Sequence, residues 1–269
     1  MRMTNLTMER NLLFNIAAAE ERLQNLQDMA SSGMKFQKPQ DDPVGVQRSM
    51  SLRNERVRNE KYLKNLSRAK SWMEYTEQAL SELTTALSRA LEIGLNGVTV
   101  TTPKTAREAI AAEVQQLQQE VLSLKTRTME GRNLLTGTMP TWKVGDNLNV
   151  TATDLTAMLD NAASYLQDLE DALRAEALTD AQDALADLEA VSDKVLSERA
   201  TNGARVARVE ALETKLTALD IEHKRLLSDV EDIDITEVIV KLKGAETAYQ
   251  AALGAGARLL QPSLLDYLK

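Results

Sequence analysis

No proline interrupts the chain between Pro140 and Pro262. Proline removes a backbone donor and clashes with the preceding turn, so its absence lets a helix run for tens of residues. The content of that stretch is regular. Val209, Leu212, Leu216, Leu219, His223, Leu226 and Val230 recur at alternating steps of three and four, the seam a helix presents to a partner helix. Aromatic residues are few, with two Trp and two Phe in 269 residues, so the core must be built from aliphatic side chains on helices. The fold class that follows is mainly α: an elongated antiparallel helical bundle or coiled coil, long enough for one large domain or two ordinary ones.

The same periodicity appears elsewhere. Leu12, Ile16, Ala19, Leu23, Leu26 and Ala30 form a seam that ends near Ser31, Ser32 and Gly33. The stretch KPQDDPVG, residues 38–45, follows as a stiff connector, because Pro39 and Pro43 forbid a continuous helix. A long helix is expected from about residue 46 to 95, with Leu66, Met73, Leu80 and Leu87 on one heptad position. Ala69, Thr76, Leu83 and Ala90 fill the complementary position. Thr102 is expected to cap the next helix, with Pro103 at its first position and Ile110, Val114, Leu117, Val121, Leu124 and Thr128 along its seam, closing near Gly131.

Residues 133–153 are the expected β region, a hairpin of TWKV and LNVT around Gly145, Asp146 and Asn147. A hairpin of that size needs helices to lie against. Asp154 is expected to cap a helix to about residue 175, and Thr179 or Asp180 the long helix that runs to about 230. In that helix Asn202 and Gly203 mark a kink or specific packing. Asp234 and Glu237 then form a D-x-x-E start signal. The last helix carries Ile235, Val238, Leu242, Ala245, Tyr249, Ala252, Gly256 and Leu259, and ends beyond Pro262 in an apolar tail with Leu264 and Leu265. The two ends can thus pair side by side. Gly254 and Gly256 each cost roughly 1 kcal/mol in a helix, which calls for a closely approaching neighbour.

Charge is unevenly placed. Residues 48–70 hold eight Lys/Arg against two Asp/Glu, while residues 154–193 hold one Arg against eleven acids. The basic run lies opposite Leu66 and Met73 and reads as a solvated helix face rather than a nucleic-acid site. The opposed polarity can help the two segments meet, within or between subunits. Cysteine is absent, so disulfides and thiolate metal sites are excluded, and one histidine cannot build a cluster. His223 falls on a seam and reads as a buried, hydrogen-bonded core residue. No phosphate loop, dinucleotide fingerprint or Ser/His/Asp set is present, and EDID lacks the other oxygens of a calcium loop. An enzyme is not expected, nor is a cofactor. The N-terminal residues lack the apolar stretch of a secretory signal, and no run approaches the roughly 18 apolar residues of a membrane helix.

Five stretches, in order, resemble one family. SGMKFQKPQDDPVG at 32–45 resembles the connector after the first helix of flagellins and flagellar hook-associated proteins, and carries Pro39, Asp41, Asp42, Pro43 and Gly45. GRNLLTG at 131–137, with Gly131 and Arg132, resembles the glycine-bounded turn before that family's variable insert. NGARVARVE at 202–210 is similar to the returning helix, with Gly203 and Arg205 matching and Ala207 where Asn is usual. EDIDITE and AYQAALGAGARLLQPSLLDYL resemble the terminal helix, and the latter is most similar to the hook–filament junction members.

The resemblance implies a non-enzymatic structural subunit of the bacterial flagellum, outside the cell, at the junction between hook and filament. It implies paired terminal helices at 1–38 and 233–269, mobile alone and ordered on assembly. A long-helix bundle would comprise 39–135 and 155–232, and a hairpin-like insert at 136–154 would stand in for a reduced or absent outer domain. The assembly interface it implies comprises Leu12, Ile16, Leu23, Leu26, Val238, Leu242, Tyr249, Ala252, Gly254, Gly256, Leu259, Leu264 and Leu265. Implied partners are a hook-side hook-associated protein, flagellin, further copies in a ring and an export chaperone, with flagellar type III export and neither nucleic acid nor membrane insertion. A filament subunit and an intracellular coiled-coil scaffold or nucleic-acid binder stand as alternatives.

Overall fold

The computed structural model describes residues 2–259, with side chains at 7 and 10–257. Its elements are α1 (Arg2–Ser32), α2 (Pro43–Gly97), α3 (Lys104–Lys125), β1 (Thr128–Met129), β2 (Arg132–Asn133), β3 (Thr141–Lys143), β4 (Asn149–Thr151), α4 (Thr156–Ala175), α5 (Leu178–Glu231) and α6 (Ile235–Leu259). The expected mainly α bundle with a hairpin is the observed architecture. Two compact units are present, Arg58–Asp220 and Met1–Val57 with Ile221–Lys269, and α2 and α5 contribute to both. No described helix is long and apolar enough to cross a membrane.

The Arg58–Asp220 unit holds the main core. Both predicted heptad positions of α2 are inside: Leu66, Ala69, Met73, Thr76, Leu80, Leu83, Leu87 and Ala90 are all buried. Leu80, Leu83, Leu87 and Ala90 share one cluster with Val114, Val121 and Leu124 of α3, Leu159, Leu166 and Leu169 of α4, and Leu185, Leu188 and Val195 of α5, while Leu66 and Met73 belong to a second with Val144 and Val209. Each such leucine contributes roughly 2 kcal/mol of transfer free energy. Small residues let α2 approach: a Cβ on Gly94 would lie 2.6 Å from Leu185 and one on Gly97 2.8 Å from Leu173.

The β3–β4 hairpin pairs Thr141 with Thr151, Trp142 with Val150 and Lys143 with Asn149. It lies against helices as its size demands: Val144 packs with Leu66, Met73 and Val209, and the Trp142 ring sits 5.9 Å from that of Trp72. The side chain of Tyr62 donates to Asp146 at 2.9 Å, Asn65 donates to the Lys143 carbonyl at 2.7 Å, and Arg205 donates to the Thr153 hydroxyl.

Several expected boundaries move. A second hairpin, β1–β2, precedes the first, where α3 had been expected to continue to Gly131. Its two-residue turn, Glu130 and Gly131, has both φ values positive, at 51° and 75°, the geometry that suits the twist of a tight hairpin. Pro103 rather than Thr102 occupies the cap of α3, and the Thr102 hydroxyl donates instead to the Asn96 carbonyl. Leu155 rather than Asp154 occupies the cap of α4; Asp154 precedes it and accepts from the Thr156 hydroxyl and amide. Those bonds hold its carboxyl below the usual aspartate range. The break before α5 is Glu176, at φ 59°, so Thr179 and Asp180 lie within the first turn rather than capping it. Asn202 does not kink α5; it is buried and donates to the Met73 carbonyl at 3.0 Å.

Candidate assembly surface

In the Met1–Val57/Ile221–Lys269 unit, α1 and α6 pack as an antiparallel pair, closed at one end by short backbone links. Gly33, at φ +73°, ends α1 in a conformation that other residues rarely adopt. Its carbonyl accepts from the Ile233 amide at 3.1 Å, and the Lys35 amide donates to the Glu231 carbonyl at 2.6 Å. The Lys35 ammonium reaches the Asp229 carbonyl at 2.7 Å. Asp234 caps α6, accepting from the amides of Thr236 and Glu237, while the Glu237 carboxylate bridges to Lys241. The D-x-x-E signal is therefore a cap without its reciprocal half.

The Glu231 carboxylate anchors this end. Arg53 grips it with Nε and Nη2 at 2.9 and 2.8 Å, and Ser49 donates to it as well. Burial alone would raise the Glu231 pKa, but the bonds from Arg53 and Ser49 and the Arg53 charge outweigh it, leaving the carboxyl below the usual glutamate range.

The connector is built from its prolines and aspartates. Pro39 is the second residue of a turn closed by the Asp41 amide donating to the Lys38 carbonyl at 3.0 Å. The Asp41 carboxylate accepts in return from the amides of Lys38 and Gln37. Asp42 caps α2 by accepting from Val44 at 3.1 Å and Gly45 at 2.9 Å, and Pro43 supplies the first helical residue. At Gly45 a Cβ would meet the Asp42 carboxylate and lie 2.8 Å from the Phe36 ring.

Along the pair, Leu12, Ile16, Ala19, Leu23, Leu26 and Ala30 on α1 are all only half-buried, as are Leu242, Ala245, Tyr249 and Ala252 on α6. Val238 and Gly256 alone among the described α6 seam residues are fully buried. A Cβ on Gly256 would lie 3.3 Å from Ile16 and 3.4 Å from Leu12, whereas nothing comes within 4 Å of one on Gly254. Of the two glycines, one meets a neighbour within this chain and the other faces outward. Apolar side chains outside the seam are bare: Phe14 is 74% exposed and Val240 69%, with Leu13, Ile239 and Leu253 also exposed. A groove between the helices is lined by Ala19, Leu26, Met29, Gly244, Ala245 and Ala248. Leu264 and Leu265 lie outside the described residues, and only the backbone of Leu259 is described.

Gly131, Arg132, Gly203 and Arg205 belong to the Arg58–Asp220 unit and do not join this pair. Gly203 lies in unbroken helix with open space where a Cβ would stand. His223 departs from a satisfied core residue: Nε2 is 3.5 Å from a Glu55 oxygen, and Nδ1 is buried without a partner. Glu231, Arg53 and Ser49 were not foreseen as a cluster. The signals were an acid just before a capping motif and an arginine in a basic run, with nothing in the sequence to join positions so far apart.

This fold has counterparts among solved structures. A chain described as a flagellar hook-associated protein from Vibrio parahaemolyticus superposes at a TM-score of 0.65, with 14% identity, over 71% of this chain and all of that one. FlgL of Bacillus cereus gives 0.60, with 17% identity, over 66% of this chain and 99% of that one. FlgL of Xanthomonas campestris gives 0.59, with 14% identity, over 64% and 98%. At these identities the likeness establishes the fold. In sequence, a flagellin of Halalkalibacterium halodurans is 25% identical over 255 residues, covering 90% of this chain and 88% of that protein. The bacterial flagellin N-terminal helical region matches residues 3–139, α1 through β2 and the chain beyond it. With that region accounting for half its length, the chain belongs to the flagellin family.

Proposed function

We propose that this protein is a structural subunit of the bacterial flagellum that forms the junction between hook and filament, assembling through its terminal helix pair. The observation that carries the reading is the α1–α6 seam. Residues at heptad spacing are only half-covered there, while the same pattern in α2 is buried. The two-helix pair leaves part of each apolar stripe in water, which neighbouring helices would remove. The interface residues are Leu12, Ile16, Leu23, Leu26, Val238, Leu242, Tyr249, Ala252, Gly254 and Gly256, continued by Leu259, Leu264 and Leu265. The terminal segments 1–38 and 233–269 act as the assembling part, 39–135 with 155–232 as the long-helix bundle, and 136–154 as the reduced insert.

The partners in this reading are a hook-side hook-associated protein, flagellin and further copies of the chain. The protein works outside the cell and leaves by the flagellar export route, with a chaperone covering the apolar last helix beforehand. Loss of chaperone capture on removal of residues 235–269 is expected in a pull-down; unchanged capture would refute that part. Deletion of the gene is expected to leave an intact hook without a filament. The filament-subunit reading has its own support in the flagellin similarity along 90% of the chain. Electron microscopy of the purified protein separates the two: long filaments grown from this chain alone mean a filament subunit, and their absence fits the junction.

A further inference from the structure

Two helix faces in the Arg58–Asp220 unit carry opposite charge that this chain leaves unmatched. Arg58, Lys61 and Arg68 are exposed on α2 at a spacing that keeps them on one side. None of the three has an ion-pair partner among the described residues, whereas their neighbours Lys64 and Lys70 bind Glu60 and Glu210. Asp168 and Asp171 on α4 and Asp180, Asp183 and Asp187 on α5 are likewise exposed and without a described partner. Nearby acids are matched: Asp160 binds Lys125, Glu170 binds Arg174, and Glu176 binds Lys104.

Asp180 in the first turn suits the N-terminus of α5, but like charges three and four residues apart repel, as Asp183 and Asp187 do. A cationic surface offsets that repulsion. The basic face of α2 cannot be that surface within one chain. That stretch of α2 lies beside Val209 and Leu216 of α5 through its buried side, as the Asn59 bond to the Leu216 carbonyl and the Leu66–Val209 contact show. The acidic stripe lies where the Gly94 and Gly97 turns of α2 meet Leu185 and Leu173. Thirty-six residues of α2 separate Arg58 from Gly94, about 54 Å at helical rise.

We infer that the acidic face of α4 and early α5 (Asp168, Asp171, Asp180, Asp183, Asp187) docks the basic face of α2 (Arg58, Lys61, Arg68) in a second copy of this chain. Each copy offers both faces, so the contact either closes as a reciprocal two-fold pair or propagates as a ring or an open row. It is separate from the terminal helix pair, and it stands whether or not the junction role does.

Sedimentation velocity of the full-length protein tests it. At low salt, about 50 mM, concentration-dependent association is expected, and about 500 mM salt should weaken it by tenfold or more, because exposed charge pairs are screened. The triple variant R58E/K61E/R68E and the triple variant D168K/D171K/D183K should each lose association alone, and an equimolar mixture should recover it. Wild-type protein that stays monomeric at low salt, association insensitive to both reversals, or a mixture that fails to recover would each overturn the inference. If a reversal variant loses its helical circular dichroism, the neutral set D168N/D171N/D183N takes its place and should weaken low-salt association; an unchanged constant would refute the proposal. Association through the terminal helices is distinguished by its persistence at high salt.

Discussion

The α2 seam and the α1 seam are written in the same pattern and end in different places. Leu66, Leu80, Leu83 and Leu87 have essentially no solvent exposure, while Leu12, Leu23 and Leu26 are only half-buried. The spacing of apolar residues fixes which side of a helix is buried; the number of neighbours fixes how far. In the Arg58–Asp220 unit α3, α4, α5 and two hairpins surround α2, whereas α1 has α6 as its main neighbour. Under the proposed function, the α1 seam is the interface that neighbouring subunits complete.

The largest test of that contrast is a matched pair of truncations. Leu83→Ala empties a filled core and should cost about 3 kcal/mol. Leu23→Ala removes a side chain already half in water and should cost under about 1 kcal/mol in the free protein. Denaturant unfolding measures both. Native-state hydrogen exchange should show the same order, with slow exchange in α2 and fast exchange in α1 and α6 of a verified monomer. Equal costs, or strong protection across residues 1–30, would mean the terminal pair is already complete.

Next in size is the exception within the loosely covered unit. Glu231 is as buried as many core residues, so Glu231→Ala should leave the Ser49 hydroxyl unmatched and release Arg53, at a cost of about 2 kcal/mol. Its carboxyl pKa is lower folded than unfolded. The stabilisation is therefore present above the ordinary glutamate value, about 4.3, and is lost as pH falls through the lower folded value. Acid titration of exchange in residues 28–40 should show this loss in the wild type and not in the variant. Unaltered acid sensitivity in Glu231→Ala would remove Glu231 from the account.

These two tests also separate what was legible in the sequence from what was not. Heptad spacing identifies the seam of α6 from Val238 to Gly256 and the buried positions of α2, because helix periodicity is a local property. TWKV, Gly145 and LNVT likewise identify a hairpin. β1–β2 escapes notice because its strands are two residues long and Glu130 occupies a left-handed position where Gly or Asn is the usual sign. The Glu231 cluster and the Asn202 bond to Met73 join positions more than a hundred residues apart, and no local pattern encodes that distance. Depth of burial, half for Leu23 and full for Leu83, depends on neighbours that periodicity does not count.

A smaller effect belongs to the cap of α6. Asp234→Ala frees the amides of Thr236 and Glu237 and should cost about 1 kcal/mol. If α6 is held by one partner, the loss should appear as faster exchange confined to α6 and α1, with α2 to α5 unchanged. Exchange rising everywhere would tie the pair to the rest more tightly than its seam allows.

The finest test uses the two glycines. Gly256 already touches α1, so Gly256→Ala sets a helix-propensity gain against crowding of Ile16 and Leu12 at 3.3 and 3.4 Å, and the net change in the free protein should be near zero. Gly254 has nothing within 4 Å of its Cβ position, so Gly254→Ala should stabilise the free protein by about 0.5–1 kcal/mol. If a neighbouring subunit closes over that face, Gly254→Leu should leave the monomer folded yet suppress filament formation when it replaces the wild-type protein in cells. Normal filaments with Gly254→Leu would show that the outward face of α6 stays open in the assembled structure.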